Sequence, residues 1–338
     1  MDAYSLGLDF GTNSVRALVV RARDGREIAT AVERYPSGRD GILLDPRDHN
    51  LARQSPADYT ACLDRAVRAA LRRARREAGV TGRDVVGLGV AATGSTPLPV
   101  DASARPLALR GRWKKKAQAW AWLWKDHTAL AEAERITGAA RRRRPRFLAK
   151  CGGAYSSEWY WAKLWRCLKE APELAGSMAA WVELSDYIPA VLCGVSRAEA
   201  IPRNACAASH KAFYHRRWGG WPDAAFLAGL DRRLARIGAG LPASALAIDR
   251  PAGRLAPGWA AAWGMRPGIP VAMGALDAHL GAVGAGIRPG TLVKIMGTSS
   301  CDMAVAERGH PVPDIPGVCG VAEDTILPGH AGVEAGQA

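Results

Sequence analysis

The chain has 338 residues, 48% hydrophobic and 23% charged, with 46 Lys and Arg against 32 Asp and Glu for a formal net charge of +14. At about 150 residues per domain this is enough for two packed domains, and the composition excludes a disordered chain. No apolar run nears the ~20 residues that span a bilayer, and the opening MDAYSLGLDF lacks a signal peptide's basic-then-apolar pattern, so a cytoplasmic location is expected.

Tyr4–Phe10 reads as a short apolar strand ending at Gly11. Val15–Arg21 reads as a second strand, Asp24-Gly25 as a turn and Arg26–Tyr35 as a third strand. Residues Pro36 to Gln54 are polar and rich in Gly, Asp and Pro, the pattern of a loop. Ser55-Pro56-Ala57-Asp58 then predicts a capping-box helix start, with Pro at the first helical position. Leu63, Ala66, Val67, Ala70, Leu71, Ala74 and Ala78 follow at helical spacing, with arginines opposite and Gly79 as the stop. Asp84–Val90 predicts a buried central strand. Three antiparallel strands, a helix and a further strand are the opening of a ribonuclease-H-like domain. A dinucleotide-binding domain would instead open strand–helix–strand with GxGxxG, whereas the first turn here is Asp9-Phe10-Gly11-Thr12-Asn13-Ser14.

From Trp113 to Trp221 the chain reads as helices and loops inserted on the first domain. The stretch holds ten of the 12 tryptophans, which are expected in a core or interface rather than on a sugar face. Its basic runs, Lys114–Lys116 and Arg141–Arg144, are expected on solvated surfaces. Only nine of the 46 basic residues are lysine. An arginine bias of this kind follows from genomic base composition as readily as from phosphate binding. The seven cysteines have no CxxC spacing, so reduced thiols are expected.

The chain carries an internal repeat. With Gly11 set on Gly297, Leu6 meets Leu292, Thr12 meets Thr298, Ser14 meets Ser300 and Val19 meets Val305. Both copies read strand, Gly-Thr-x-Ser turn, strand. Such a turn can offer successive amides and hydroxyls to a phosphate, although a single copy is more often an ordinary hairpin. Two copies suggest a nucleotide held between duplicated domains, the layout of the actin and sugar-kinase superfamily. Asp9, at the end of the first copy's strand, is placed to hold Mg²⁺. Asp277 follows the apolar stretch Val271-Ala272-Met273-Gly274-Ala275-Leu276 and precedes a Gly-rich helix start. Between two domains it could take a proton from a sugar hydroxyl, and His279 beside it is expected to be packed.

At these residues the chain resembles the FGGY family of carbohydrate kinases, and within it the ribulokinases. Leu8-Asp9-Phe10-Gly11-Thr12-Asn13-Ser14 is similar to the family's first phosphate motif. Leu123-Trp124-Lys125-Asp126-His127, Trp181-Val182-Glu183-Leu184, Ser209-His210-Lys211, Gly274-Ala275-Leu276-Asp277-Ala278-His279 and Glu334-Ala335-Gly336-Gln337 are similar to ribulokinase blocks. The resemblance implies α/β architecture with duplicated ribonuclease-H-like domains of the actin and hexokinase type, the second incomplete. The implied division is a first domain over residues 1–270, an insertion at about 100–225, and the start of a second domain over 271–338. It implies ATP-dependent phosphorylation of a ketopentose, most like ribulose. Asp277 is then the general base, and Gly94, Lys211, Asp277 and Glu334 contact the sugar. Gly11, Thr12, Asn13, Ser14, Gly297 and Thr298 lie on the phosphates, and Asp9 on Mg²⁺. Sugar and ATP are the expected partners, with no membrane or nucleic acid and a homo-oligomer left open.

Two departures qualify the resemblance. Ala91 stands where the family has Asp after the fourth strand. The family's second domain continues past Glu-Ala-Gly-Gln, so the chain is expected to be part of a longer kinase with negligible turnover by itself. Two readings stay open beside the leading one: a kinase for xylulose or glycerol, and a non-catalytic nucleotide- or nucleic-acid-binding module on an actin-like scaffold.

Overall fold

The computed structural model describes residues 2–297 and 300–337. Its strands are β1 (Tyr4–Phe10), β2 (Ser14–Arg21), β3 (Glu27–Arg34), β4 (Leu43–Asp45), β5 (Asp48–Gln54), β6 (Val85–Ala92), β7 (Pro97–Val100), β8 (Ala121–Trp122), β9 (Ala180–Glu183), β10 (Pro251–Arg254), β11 (Pro270–Ala272), β12 (Ala275–Leu276), β13 (Leu292–Met296), β14 (Ser300–Glu307), β15 (Gly320–Glu323) and β16 (His330–Gln337). Its helices are α1 (Pro56–Ala78), α2 (Leu130–Arg143), α3 (Pro145–Ala149), α4 (Tyr160–Glu170), α5 (Leu184–Leu192), α6 (Ala205–Lys211), α7 (Ala224–Leu230), α8 (Arg232–Ala239), α9 (Pro257–Trp263) and α10 (Asp277–Gly284). None is long and apolar enough to cross a membrane among the described residues.

The main sheet runs β10-β11-β6-β1-β2-β3, with β12 also on β6. The first three strands are an antiparallel meander, and β6 lies parallel to β1 on its other side. This is the ribonuclease-H-like order. Leu6, Leu8 and Phe10 alternate inward on β1, and Val15, Ala17 and Val19 do so on β2. Helix α1 lays its stripe of Tyr59, Cys62, Leu63, Ala66, Val67, Ala70 and Ala74 into the same core. Each fully buried Val, Leu or Phe there contributes roughly 1.5–3 kcal/mol.

Helix α1 begins at Pro56 and stops at a left-handed Gly79, as expected, but its capping box is not made. The Ser55 side chain makes no cap bond. The Asp58 carboxylate turns away from the helix and accepts from Ser37 N (3.0 Å) and Ser37 Oγ (2.9 Å), tying down the loop before the helix. The segment expected as loop to Gln54 also contains the β4–β5 hairpin. Its end pairs with β8, at Arg53↔Trp122 and Gln54↔Ala121, a partner far away in sequence.

The tryptophan-rich region forms a second core. Trp122, Trp161 and Trp181 are at most 1% exposed and pack with Ile136, Phe147, Leu164, Phe226 and Ile237. Lys114, Lys115 and Arg141–Arg143 are exposed, as expected of solvated runs.

A boundary after Pro270 would cut the first sheet. Val271 pairs with Leu88, and Ala275 and Leu276 pair with Ala91 and Ala92, so β11 and β12 are two pieces of one further strand beside β6. Helix α10 leaves this strand and packs under the last sheet, β13-β14-β16-β15, all antiparallel. Ala282 of α10 joins Ile287, Met303, Val305 and Ile326 in that sheet's core. In the sheet, β13, β14 and β16 lie antiparallel side by side as β1, β2 and β3 do, although β15 comes between β14 and β16 in the chain.

The two hairpins differ in register. Phe10 pairs with Val15, whereas its counterpart Met296 pairs with Ser300, one residue nearer the turn. Residues 325–328 form a turn, and β16 follows it.

Candidate functional site

Strands β1, β6 and β12 run parallel, and their carboxyl ends meet. Asp9 pairs with Ala91, Ala91 with Ala275 and Ala92 with Leu276. The residue after Leu276 is Asp277. Ligands of open α/β sheets sit beyond these strand ends. Asp277 opens α10, and its Oδ1 accepts from Ala278 N at 2.8 Å. Burial pushes its carboxyl up to about 6; the Asp9 charge adds to this and the Lys211 charge opposes it. Burial likewise raises Asp9, against Arg16 at 3.7 Å. Ala91 offers no polar group between Asp9 and Ala275.

The turn after β1 is braced from outside. Gly11 N donates to Ser14 O at 2.9 Å, so this amide closes the turn and cannot donate to a phosphate. Thr12 O accepts from Gln54 Nε2 (2.7 Å), and Thr12 Oγ1 accepts from Trp124 Nε1 (3.0 Å), which leaves the threonine's own O–H to donate. Asn13 Nδ2 donates to Asp40 O at 2.6 Å. Ser14 has joined β2 opposite Arg34.

Gly94 follows β6. A Cβ at this position would fall 2.0 Å from Leu276 Cδ2, so the close approach of this loop to the strand end before Asp277 requires glycine. The loop is fixed from beneath by two buried charges. Ser95 Oγ and Thr96 N both donate to the Glu183 carboxylate, the latter at 2.9 Å. Lys163 Nζ donates to Ser95 O (2.9 Å) and Leu123 O (2.8 Å), joining the Gly94 loop to the Trp124 loop. Burial raises Glu183 and lowers Lys163, and each charge opposes the other's shift.

Lys211 ends α6 and Glu334 lies on β16. They form a buried ion pair, Lys211 Nζ to Glu334 Oε1 at 3.0 Å and to Oε2 at 3.3 Å. The ammonium beside it holds Glu334 down at about 2 despite burial. The same carboxylate raises Lys211 although burial opposes this. His210 and His279 pack against the pair, with ring centroids 4.7 Å apart. His279 is buried, as expected.

The structure therefore gathers Asp9, Gly94, Lys211, Asp277 and Glu334 around the junction of the two sheets. Gly297 is exposed on the turn after β13, and Thr298 lies outside the described residues. Sequence reasoning missed the supports: Lys163, Glu183, Gln54 and the Trp124 indole. Glu183 and Trp124 do lie in blocks that carried the resemblance. Lys163 gives no signal of its own, being one lysine among the aromatic residues of α4. Asp9 and Asp277 are hard oxygen donors that act on each other electrostatically, a donor set that fits Mg²⁺.

Residues 4–284 match the N-terminal domain of the FGGY family of carbohydrate kinases. The chain is 38% identical over 337 residues to a ribulokinase of Vibrio parahaemolyticus, covering 99% of this chain and 59% of that protein. It is 37% identical to a ribulokinase of Shouchella clausii, again spanning 59% of the relative's length. Its fold matches a xylulose kinase from Rhodospirillum rubrum (TM-score 0.70, 21% identity, 98% of this chain and 60% of that one). It also matches a glycerol kinase from Plasmodium falciparum (TM-score 0.74, 12% identity, 99% and 61%).

Proposed function

The chain belongs to the FGGY family of carbohydrate kinases, and on that premise we propose that it carries the sugar-binding and proton-accepting part of an ATP-dependent ketopentose kinase, with ribulose as substrate. The observation that carries this reading is the row Asp9, Ala91, Ala275 at the parallel strand ends, with Asp277 next beyond and its carboxyl pushed up to about 6. A carboxylate with that affinity for protons is largely ionised at neutral pH. It is still basic enough to accept a proton from an attacking hydroxyl.

Lys211 and Glu334 read the ketose. The ammonium has a third hydrogen beyond the two aimed at Glu334, and the carboxylate keeps spare lone pairs, so the pair can meet adjacent hydroxyls without separating. Gly94 keeps the sugar-side loop against Leu276. The hydroxyl of Thr12 faces the nucleotide's phosphates. Asp9 holds Mg²⁺, which when bound offsets charge on those phosphates.

The reading is tested by calorimetry of the purified chain with ribulose, xylulose, glycerol and ATP separately, and by phosphorylation of the same sugar panel by a chain of the relatives' full length. Ribulose should bind most tightly, and Lys211→Met should abolish that heat. A preference for glycerol or xylulose would reassign the substrate. No sugar binding, together with salt-dependent retention on DNA that ATP does not compete, would overturn the kinase reading in favour of a nucleic-acid-binding module.

A further inference from the structure

Three elements bring three metal-binding side chains to one buried point. His210 lies in the last turn of α6, His279 in the first turn of α10, and Glu334 on β16. They are 2%, 1% and 4% exposed. Glu334 Oε2 is 3.2 Å from His210 Nδ1 and 3.6 Å from His279 Nε2. One ligand atom from each residue lies within 4.8 Å of the other two. None of the four imidazole nitrogens has a hydrogen-bond partner among the described residues.

A buried polar atom without a partner costs about 1–3 kcal/mol, and four sit here together. A neutral imidazole turned to donate to Glu334 would satisfy one nitrogen per ring and leave the other. Backbone also closes the cluster on one side, since a Cβ on Gly320 would fall 1.9 Å from His210 Nδ1.

We propose that His210, His279 and Glu334 form a buried binding site for one divalent transition-metal ion, zinc by its ligand chemistry. Two imidazoles and one carboxylate are a zinc donor set, and bonds of about 2.0–2.2 Å place tetrahedral ligand atoms roughly 3.3–3.6 Å apart. The two distances to Glu334 Oε2 are close to that spacing. Magnesium takes oxygen ligands, so this site is chemically distinct from Asp9 and Asp277. Lys211 donates to Glu334 Oε1 at 3.0 Å and to Oε2 at 3.3 Å and so fixes the carboxylate's orientation, as the outer partners of ligating carboxylates do. A bound ion would join the tryptophan-rich region, the helix that carries Asp277 and the last sheet. The binding needs neither sugar nor nucleotide, although the site shares Glu334 with the proposed sugar contact.

The test is titration of the purified chain, stripped with a chelator, first with Zn²⁺ alone by calorimetry and then with Co²⁺ as a coloured probe. One equivalent should bind, with cobalt taking the visible spectrum of a four-coordinate site. His279→Gln and Glu334→Gln should each weaken zinc by more than the ~10–100-fold that loss of an outer partner causes. His310→Gln, on an exposed histidine, should bind as the unaltered chain does. Imidazole NMR of the unaltered chain needs no variant: two histidine signals should move together on the first equivalent of zinc. No stoichiometric binding by the unaltered chain, zinc affinity unchanged in His279→Gln, or loss of zinc in His310→Gln would each overturn the proposal.

Discussion

Asp277→Asn should make the folded chain more stable while removing its proposed base. The carboxyl rises from 3.8 to about 6, chiefly through burial. At about 1.36 kcal/mol per tenfold change in proton affinity, the charged form is disfavoured in the folded state by about 3 kcal/mol. Because the folded state holds this proton more tightly than the unfolded one, the group's contribution is fully present below pH 3.8. It is lost as pH rises from there through 6. Asparagine has no charge to bury and keeps an oxygen to accept from Ala278 N. Its gain should be about 1–3 kcal/mol at pH 8, the lower end allowing for rearrangement around the new amide, and about 2 kcal/mol less at pH 4.5. Urea unfolding of both proteins at the two pH values, in chelator, measures this directly. A variant no more stable than the unaltered chain at pH 8, or one whose gain is the same at both pH values, would refute the reasoning. An active-site group that lowers stability is the usual trade between function and folding.

In a chain of the relatives' full length, Asp277→Asn should lower ribulose phosphorylation by at least ~100-fold, and near-normal turnover would remove it from the base's role. Lys211→Met leaves the Glu334 carboxylate buried without its ammonium and should destabilise by about 3–5 kcal/mol in urea. Adding Glu334→Gln should return much of this, and equal stability of the single and double variants would show the pair to be uncoupled. Gly94→Ala places a methyl against Leu276 and should cost about 1–3 kcal/mol, relieved by Leu276→Ala. If the second substitution adds its own full cost instead, the two side chains do not meet.

What the sequence determined by itself is local. The β1–β3 meander and α1 are legible because alternating and helical apolar spacing acts within a few residues, and Gly79 stops the helix without outside help. Asp9 and Asp277 are legible because Asp9 lies at the end of an apolar strand and Asp277 just past one, and the carboxyl ends of parallel strands are where open sheets bind ligands. The expected helix cap failed because a carboxylate takes whichever donor packing supplies: Asp58 found Ser37 rather than the helix's own amide. Strand β5 and strand β16 were unreadable for a similar reason. The first is polar and ends on β8, and the second, His330–Gln337, is rich in Gly and Ala, so pairing with β14 rather than propensity makes it a strand. Strands β11 and β12 join the first sheet because they pair with the free side of β6, a pairing no local pattern signals.

Tertiary structure alone decided which charges meet. Lys211 and Glu334 are 123 residues apart in the chain, and although the blocks around them carried the resemblance, neither block shows that the two charges pair. Lys163 and Glu183 likewise hold the Gly94 loop only because α4 and β9 bury them beneath it. Burial makes such groups strongly dependent on their partners, since a charge removed from water must be met by another charge or by backbone dipoles. Sequence spacing carries no record of that closure. It is set when the two cores pack and the last sheet docks on α10.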